Sequence, residues 1–289
     1  DIRSNEGALA LGDQGAALAE VLGDRPVALM RGHGNVVTGE NIKLAVARAI
    51  YTEVKEGRGS PHGGVFLDIS YLPGDRVKRK LPSMYHQFKE LAGLDITVEP
   101  MEVGPTTHYV MGGVRVDADT QMSSLPGLFA AGECAAGING ANHLLVFGKR
   151  AGEHAAIFAK SNGPISIDER QVEAATKRSL EPFERADAPE NPFKVQQDLQ
   201  GMMQDLVGIV RVEDEMRRAL TGLEGLKKRA EQVGVTGHRE FNTGWHASQD
   251  LGNLLMVSES IARSAIERKE SRGGHFRQDY PEKDPAHAT

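Results

Sequence analysis

The chain has 289 residues with a formal net charge of −6 at neutral pH, which argues against a nucleic-acid binder that relies on a global positive field. Hydrophobic residues make up 39% and charged residues 26%, a balance that predicts a packed core. The single cysteine, Cys134, excludes an intrachain disulfide and a cysteine-based zinc cluster, and the sequence suggests neither a signal peptide nor a transmembrane segment.

The first part of the chain reads as helix, strand, turn and helix. A short helix is predicted at 16–22 and a buried strand at 26–30. Three glycines in 31–39 predict a tight turn around a short strand. Helical spacing of apolar residues then predicts a helix over 40–55.

The middle of the chain alternates loops, strands and helices. A glycine-rich loop at 56–64 precedes a predicted strand at 65–69, and the run 76–90 has a basic start and a helical end. The basic start, with Arg76, Lys78, Arg79 and Lys80, is interpreted as a solvated face rather than a nucleic-acid patch.

Further along the middle of the chain, strand-like patterns precede a helix. Residues 96–103 alternate in polarity, and 125–133 reads as a strand that ends in Gly-Glu. A helix is predicted over 144–159, with apolar residues to bury along one side.

The last third is helical. Helical periods extend over 165–186, 194–233 and 247–270, and leucine and methionine dominate their apolar stripes. Arg272 and His275 follow in a polar loop. The predicted fold class is therefore an α/β portion followed by an α-helical bundle.

Two residues stand where they could carry chemistry. His108 lies between a polar run and a Gly-Gly pair, so it is either a loop histidine or a donor to a carboxylate substrate. Glu133 ends a predicted strand, where its carboxylate either caps a turn or accepts hydrogen bonds from the hydroxyls of a nucleotide or ribityl chain.

Longer segments resemble the flavoprotein subunit of succinate dehydrogenase and fumarate reductase from about residue 44 to residue 285. The segments that carry this resemblance are 47–70, 105–120, 126–133, 140–142, 144–156, 191–211 and 270–281. The resemblance implies FAD as cofactor and interconversion of succinate and fumarate. It also implies the iron–sulfur subunit of the same complex as partner, a dicarboxylate substrate and no nucleic acid. The expected location is peripheral, on the cytoplasmic side of a membrane contacted only through partner subunits.

The same resemblance assigns roles to single residues. His108 matches the substrate-binding histidine, and Glu133 matches the glutamate that holds the ribityl region of the flavin. Lys43 stands at the position of the proton-donor arginine, and His143 at that of the arginine that clamps a substrate carboxylate. Because histidine cannot bind a carboxylate in bidentate fashion, activity of this chain alone is expected to be impaired.

Two further departures concern the flavin. A short segment that touches the flavin in the family is missing after 144, and the GxGxxG motif for the FAD pyrophosphate does not occur in the sequence. An alternative is therefore a non-catalytic fragment that only binds partner subunits.

Residues 16–54 also resemble the end of a class II aldolase or sugar-phosphate epimerase domain. In that family a histidine at the position of His33 is a divalent-metal ligand. A zinc site needs about three protein ligands, and the sequence contains no His-x-His pair to complete one. A metal-dependent aldolase or epimerase remnant is therefore the second alternative, and no metal is expected unless the site at His33 were completed.

Together, these patterns predict a chain of five segments. They are an aldolase-like fragment (1–46), a capping-domain remnant (47–104), the C-terminal part of an FAD-binding domain (105–162), a helical bundle (163–272) and a tail (273–289).

Overall fold

The computed structural model describes residues 27–30, 34–37, 42–105, 110, 112–136, 141–164, 166–185, 187 and 190–287. Eight α-helices and four short strands occur among them. In chain order these are β1 (Val27–Met30), β2 (Gly34–Val37), α1 (Ile42–Lys55), β3 (Val65–Leu67), α2 (Gly74–Lys80), α3 (Pro82–Leu91), β4 (Met101–Val103), α4 (Ala141–Asn162), α5 (Glu169–Glu184), α6 (Pro192–Leu206), α7 (Glu213–Ala230) and α8 (Thr243–Glu267).

The first strands and helix confirm three predictions. The strand predicted at 26–30 is β1, and the short strand expected within 31–39 is β2, which pairs antiparallel with β1 in the register Val27↔Val37. The helix predicted at 40–55 is α1. The helix predicted at 16–22 lies outside the described residues.

Two short helices occupy the run 76–90. The predicted helical end is α3, and the basic start is also helical, as α2. The break falls at Leu81, whose φ of −130° is not helical, because Pro82 disfavours helical backbone in the residue before it. Below α2, a small core contains Val77, Ile96 and Met101, each at most 2% exposed.

The predicted strand at 125–133 is wrong as a continuous element. The described structure has a turn at Pro126 and Gly127 and only isolated bridges, such as Met122↔Phe129. Gly127 has φ +87°, a left-handed conformation that glycine tolerates and that ends a strand. The helix predicted at 144–159 is present as α4.

The predicted helices of the last third exist, but the run 194–233 is divided into α6 and α7. The helix ends at Val207, and the chain returns to helix only after Val212, which is extended. The bundle of α6, α7 and α8 buries part of the predicted leucine and methionine stripes, whereas Leu254 and Val257 of α8 are exposed. Its buried residues are Val195, Leu199, Val207, Met216, Ala219, Leu223, Leu226, Val233, Leu251, Leu255, Ala262 and Ala265.

The fold is mostly helical, and its described strands form two antiparallel pairs, β1–β2 and β3–β4. The expectation of an α/β portion before a bundle is therefore only roughly met. The chain divides into two compact units, one of residues 1–105 with 179–289 and one of residues 106–178. Among the described helices, none combines the length and the apolar character that crossing a bilayer requires.

Candidate functional site

The structure locates the predicted site residues only in part. Lys43 lies in the first turn of α1, and His143 lies in the first turn of α4. His108 and His33 lie outside the described residues. The roles of all four therefore stay predictions.

Glu133 is the predicted site residue whose surroundings are described. It lies in a turn closed by the Ala135 N–H, which donates to the Gly132 carbonyl at 3.1 Å. Its carboxylate is exposed, and Oε1 accepts a hydrogen bond from the Val110 N–H at 3.0 Å. The carboxylate thus connects the turn to the segment that leads into the Gly-Gly pair, and it remains open to solvent.

Two glycines, Gly112 and Gly113, place backbone without side chains next to this carboxylate. The Val114 N–H donates to the Cys134 carbonyl at 2.8 Å, and the Ala136 N–H donates to the Val114 carbonyl at 2.9 Å. A Cβ on Gly113 would lie 2.3 Å from the Cys134 carbonyl oxygen, so this parallel pairing requires glycine. Gly112 has φ +122°, and no atom lies within 4 Å of where its Cβ would be. A flat ligand can therefore approach the backbone beside Glu133 closely.

In the larger unit, the polar loop around Arg272 and His275 forms a dense ionic network. The Arg272 and Arg268 side chains both donate to Glu270, which is fully buried. Hydrogen bonding from Arg272 is the main cause that lowers the pKa of Glu270 to about 2, so this carboxylate is ionised. The loop residues are thus occupied with one another.

His275 lies at the centre of this loop. Its Nδ1 lies 2.8 Å from Nη1 of Arg211, which can only donate, so Nδ1 is the acceptor. The Nε2–H then donates to the Arg268 carbonyl at 3.0 Å. Burial, together with the arginines nearby, lowers the pKa of His275 below its usual range. The imidazole is therefore neutral and serves as a fixed connector.

The same loop holds α1, the helix that carries Lys43. The Arg48 guanidinium lies 3.9 Å from the centre of the Phe276 ring, a cation–π contact. Lys55, at the other end of α1, forms an ion pair with Glu215 of α7 at 2.7 Å. Arg48 and Phe276 also line a cavity of about 360 Å³ with Ser271, Arg272, Pro281, Glu282 and Lys283. These contacts fix α1 against the bundle.

Sequence reasoning missed the ion pair between the buried Arg277 and the exposed Asp279. Arg277 is 0% exposed, and its Nη1 donates to the carbonyls of Ala265 and Ile266 at the end of α8. Asp279 accepts two bonds from Arg277 at 2.7 Å and one from the Glu213 N–H, the first residue of α7, at 3.0 Å. One ion pair thereby caps the C-terminus of α8 and the N-terminus of α7. The available signal is the lack of a capping side chain at Val212.

The metal site considered for His33 gains no support. No group of three or more His, Cys, Asp or Glu side chains that could hold a metal ion occurs within the part of the chain that the structure describes.

Two family models match the chain. A model described as "FAD binding domain" matches residues 2–145, and one described as "Fumarate reductase flavoprotein C-term" matches residues 196–288. The first match contains residues 16–54, so the comparisons do not support the aldolase resemblance there.

Named relatives agree with both models. A fumarate reductase (CoM/CoB) polypeptide of Methanothermobacter marburgensis is 36% identical over 280 residues, which cover 94% of this chain and 50% of that protein. The succinate dehydrogenase flavoprotein subunit of Coxiella burnetii is 34% identical, with 83% of this chain and 45% of that protein covered. The chain thus spans about half the length of the curated relatives it matches.

A solved structure shares the fold. The Mycobacterium smegmatis Sdh1 complex in the apo form superposes with a TM-score of 0.77 and 53% identity. The match covers 85% of this chain and 43% of that one. The fold described above is therefore that of part of a flavoprotein subunit.

FAD is the cofactor that these matches identify. The described residues fit its flavin side, because an exposed carboxylate at Glu133 lies beside the bare backbone of Gly112 and Gly113. No GxGxxG motif for the pyrophosphate is found in the sequence. The chain belongs to the succinate dehydrogenase and fumarate reductase flavoprotein family.

Proposed function

We propose that this chain forms the substrate and flavin-ring side of a flavoprotein subunit that interconverts succinate and fumarate. The observation that carries the proposal is the exposed Glu133 carboxylate, held by the Val110 N–H beside two bare glycines within the FAD-binding match. FAD, when bound, supplies a site that accepts or donates hydride. The relatives' names supply the substrate class.

Residues of the chain itself bind the cofactor, bind the substrate and transfer the proton. Glu133 accepts hydrogen bonds from the ribityl hydroxyls, and its tie to Val110 orients the carboxylate for this purpose. His108 donates to a carboxylate of the dicarboxylate substrate, whose charge must be met as it leaves water. Lys43, in the first turn of α1, delivers or removes a proton at the substrate carbon.

A fixed frame for Lys43 supports this assignment. The helix that carries it contacts the bundle at two places, through Arg48 over Phe276 and through Lys55 with Glu215. A helix held at both places presents its first turn in one position, which catalysis requires to within a fraction of an ångström. We therefore assign positioning of the proton donor to α1 and its contacts.

Lys43 and His143 stand where the family has arginines, and both differences lower the rate of the reaction. His143 cannot clamp a carboxylate in bidentate fashion as an arginine does, and it is only partly charged at neutral pH. Loss of one such electrostatic contact costs about 3 kcal/mol in the transition state, or roughly a hundredfold in rate. We therefore infer impaired rather than absent activity. The electron partner, at a membrane surface, is an iron–sulfur subunit.

A non-catalytic fragment that only binds partner subunits is the second candidate. The exchange at His143 and the segment missing after 144 favour it, because both remove contacts that the resemblance assigns to substrate or flavin. Flavin content separates the two candidates.

The first experiment measures flavin and activity in the purified chain. The proposal predicts an absorption band at about 450 nm after incubation with FAD, lost on Glu133→Gln but kept on Glu153→Gln, an exposed carboxylate on α4. Oxidation of succinate with an artificial acceptor should disappear in His108→Ala and rise in His143→Arg. A chain that remains colourless with FAD would refute the proposal and favour the non-catalytic fragment.

A further inference from the structure

The short helix α2 carries an unusual charge density. Four of its seven residues are basic, and all four side chains, Arg76, Lys78, Arg79 and Lys80, are exposed. Its apolar contact with the core is Val77, which is 2% exposed. Arg76, Arg79 and Lys80 stand at i, i+3 and i+4 and therefore share one side of the helix. We call these three the cationic face.

Several of the chain's other exposed basic residues are paired within the chain. Arg217 and Arg263 pair with glutamates one helical turn away, and Arg170 pairs with Asp168. In contrast, the cationic face makes no ion pair with any residue that the structure describes. Asp75, the acidic residue of α2, also lies outside any described ion pair. No acidic residue that the structure describes therefore neutralises the charge of the cationic face.

The cationic face has two opposite effects on the stability of α2. Basic residues in a last turn interact favourably with the helix dipole, but this benefit is confined to the helix end. Like charges at i, i+3 and i+4 repel one another. One or two basic residues would be enough to interact favourably with the helix dipole. Three on one side therefore indicate that the face binds a group outside the helix.

The surroundings of the face indicate what binds there. Leu81 and Met84, which follow it directly, are each 38% exposed, so apolar surface adjoins the charge. The whole chain carries a net charge of −6, which disfavours long polyanions such as nucleic acid and broad anionic membranes. A short acidic segment can reach the face without approaching the rest of the molecule.

We propose that the cationic face of α2, with Leu81 and Met84 beside it, docks an acidic segment of a partner protein. Carboxylates of the segment pair with Arg76, Arg79 and Lys80, and an apolar residue of the segment covers Leu81 and Met84. Opposite charge speeds the encounter, and the apolar contact slows release.

The test uses a labelled oligoglutamate peptide as probe and fluorescence anisotropy at low salt. The variant Arg76→Gln/Arg79→Gln/Lys80→Gln should weaken binding roughly tenfold, the sum of three exposed charge pairs. The matched control, Lys149→Gln/Arg170→Gln/Arg263→Gln, loses the same charge at residues that are exposed but already paired, and should keep its affinity within about twofold. Circular dichroism checks that both variants fold.

Several results would overturn the proposal. Equal weakening in both variants would mean that only net charge matters, and no binding by the unaltered chain would remove the site. Tighter binding of phosphatidylserine vesicles or of a single-stranded DNA oligonucleotide, abolished by the same triple change, would assign the face to a membrane or a nucleic acid instead.

Discussion

Replacing the buried Arg277 by methionine tests whether its ion pair with Asp279 holds two helix ends together. Arg277 has no exposed surface and donates to the Ala265 and Ile266 carbonyls as well as to Asp279. Methionine retains much of the volume but none of the five donors. The change therefore leaves the last carbonyls of α8 without these donors and Asp279 without its counter-ion.

The expected cost follows from these lost contacts. Methionine leaves the Ala265 and Ile266 carbonyls without these donors, and a buried acceptor that loses its partner costs about 1–3 kcal/mol. Asp279 is exposed and keeps its bond from the Glu213 N–H at 3.0 Å, so its unpaired carboxylate adds little, and the expected total loss is about 3 kcal/mol.

The assay is urea unfolding followed by the fluorescence of Trp245, the single tryptophan. Trp245 reports on the bundle because it lies in α8, and its Nε1–H donates to the Ser179 carbonyl of α5 at 2.7 Å. The control is Arg217→Met, which breaks an exposed pair with Glu213 and should cost less than about 1 kcal/mol. If Arg277→Met and Arg217→Met cost the same, the Arg277–Asp279 pair does not hold the two helix ends.

Two further predictions concern the polar loop and the glycine pair. The pKa of His275 lies below its unfolded value, so the folded chain binds fewer protons, and stability should fall as the pH drops below about 6.5. His275→Gln keeps an acceptor and a donor but cannot be protonated, so unfolding free energies measured against pH should fall less steeply than in the unaltered chain. Gly113→Ala should destabilise the smaller unit by more than the roughly 1–3 kcal/mol of a strained backbone, since its Cβ would meet the Cys134 carbonyl at 2.3 Å. Gly112→Ala is the matched control, because it has a similar φ and open space; equal thermal shifts would refute the steric account.

Much of the architecture was accessible from the sequence because its signals are local. Apolar residues at helical spacing gave α1, α4 and the bundle helices, and a proline inside the run 76–90 marks the boundary between α2 and α3. The leucine and methionine stripes also identified the core, since burial follows the period of the helix.

The errors arose where contacts distant in sequence decide the local structure. The run 194–233 keeps helical spacing throughout, yet the chain leaves the helix at Val207. There the Arg211 side chain donates to the Val207 and Gly208 carbonyls, and the Arg211 N–H donates to the Phe276 carbonyl. Residue 276 lies far along the chain, so no window around 207–212 contains that information.

The same limit applies to the candidate site. Glu133 was identifiable from a strand-end pattern and a resemblance, but its bond from Val110 joins residues 23 positions apart. The requirement for glycine at 113 depends on the Cys134 carbonyl, which no periodicity predicts. Sequence motifs therefore identified the candidate residues, whereas the hydrogen bonds and close contacts between them are known only from the structure.

Stability and proposed chemistry depend on different residues of this chain. Among the described residues, Glu133 takes part in neither the bundle core nor the Arg277–Asp279 pair. Because residues under catalytic demand contribute little to folding and often oppose it, they can change while the fold persists. A stably folded bundle is thus no measure of activity, and the rate gained by His143→Arg, rather than any melting temperature, decides how much of the chemistry this chain retains.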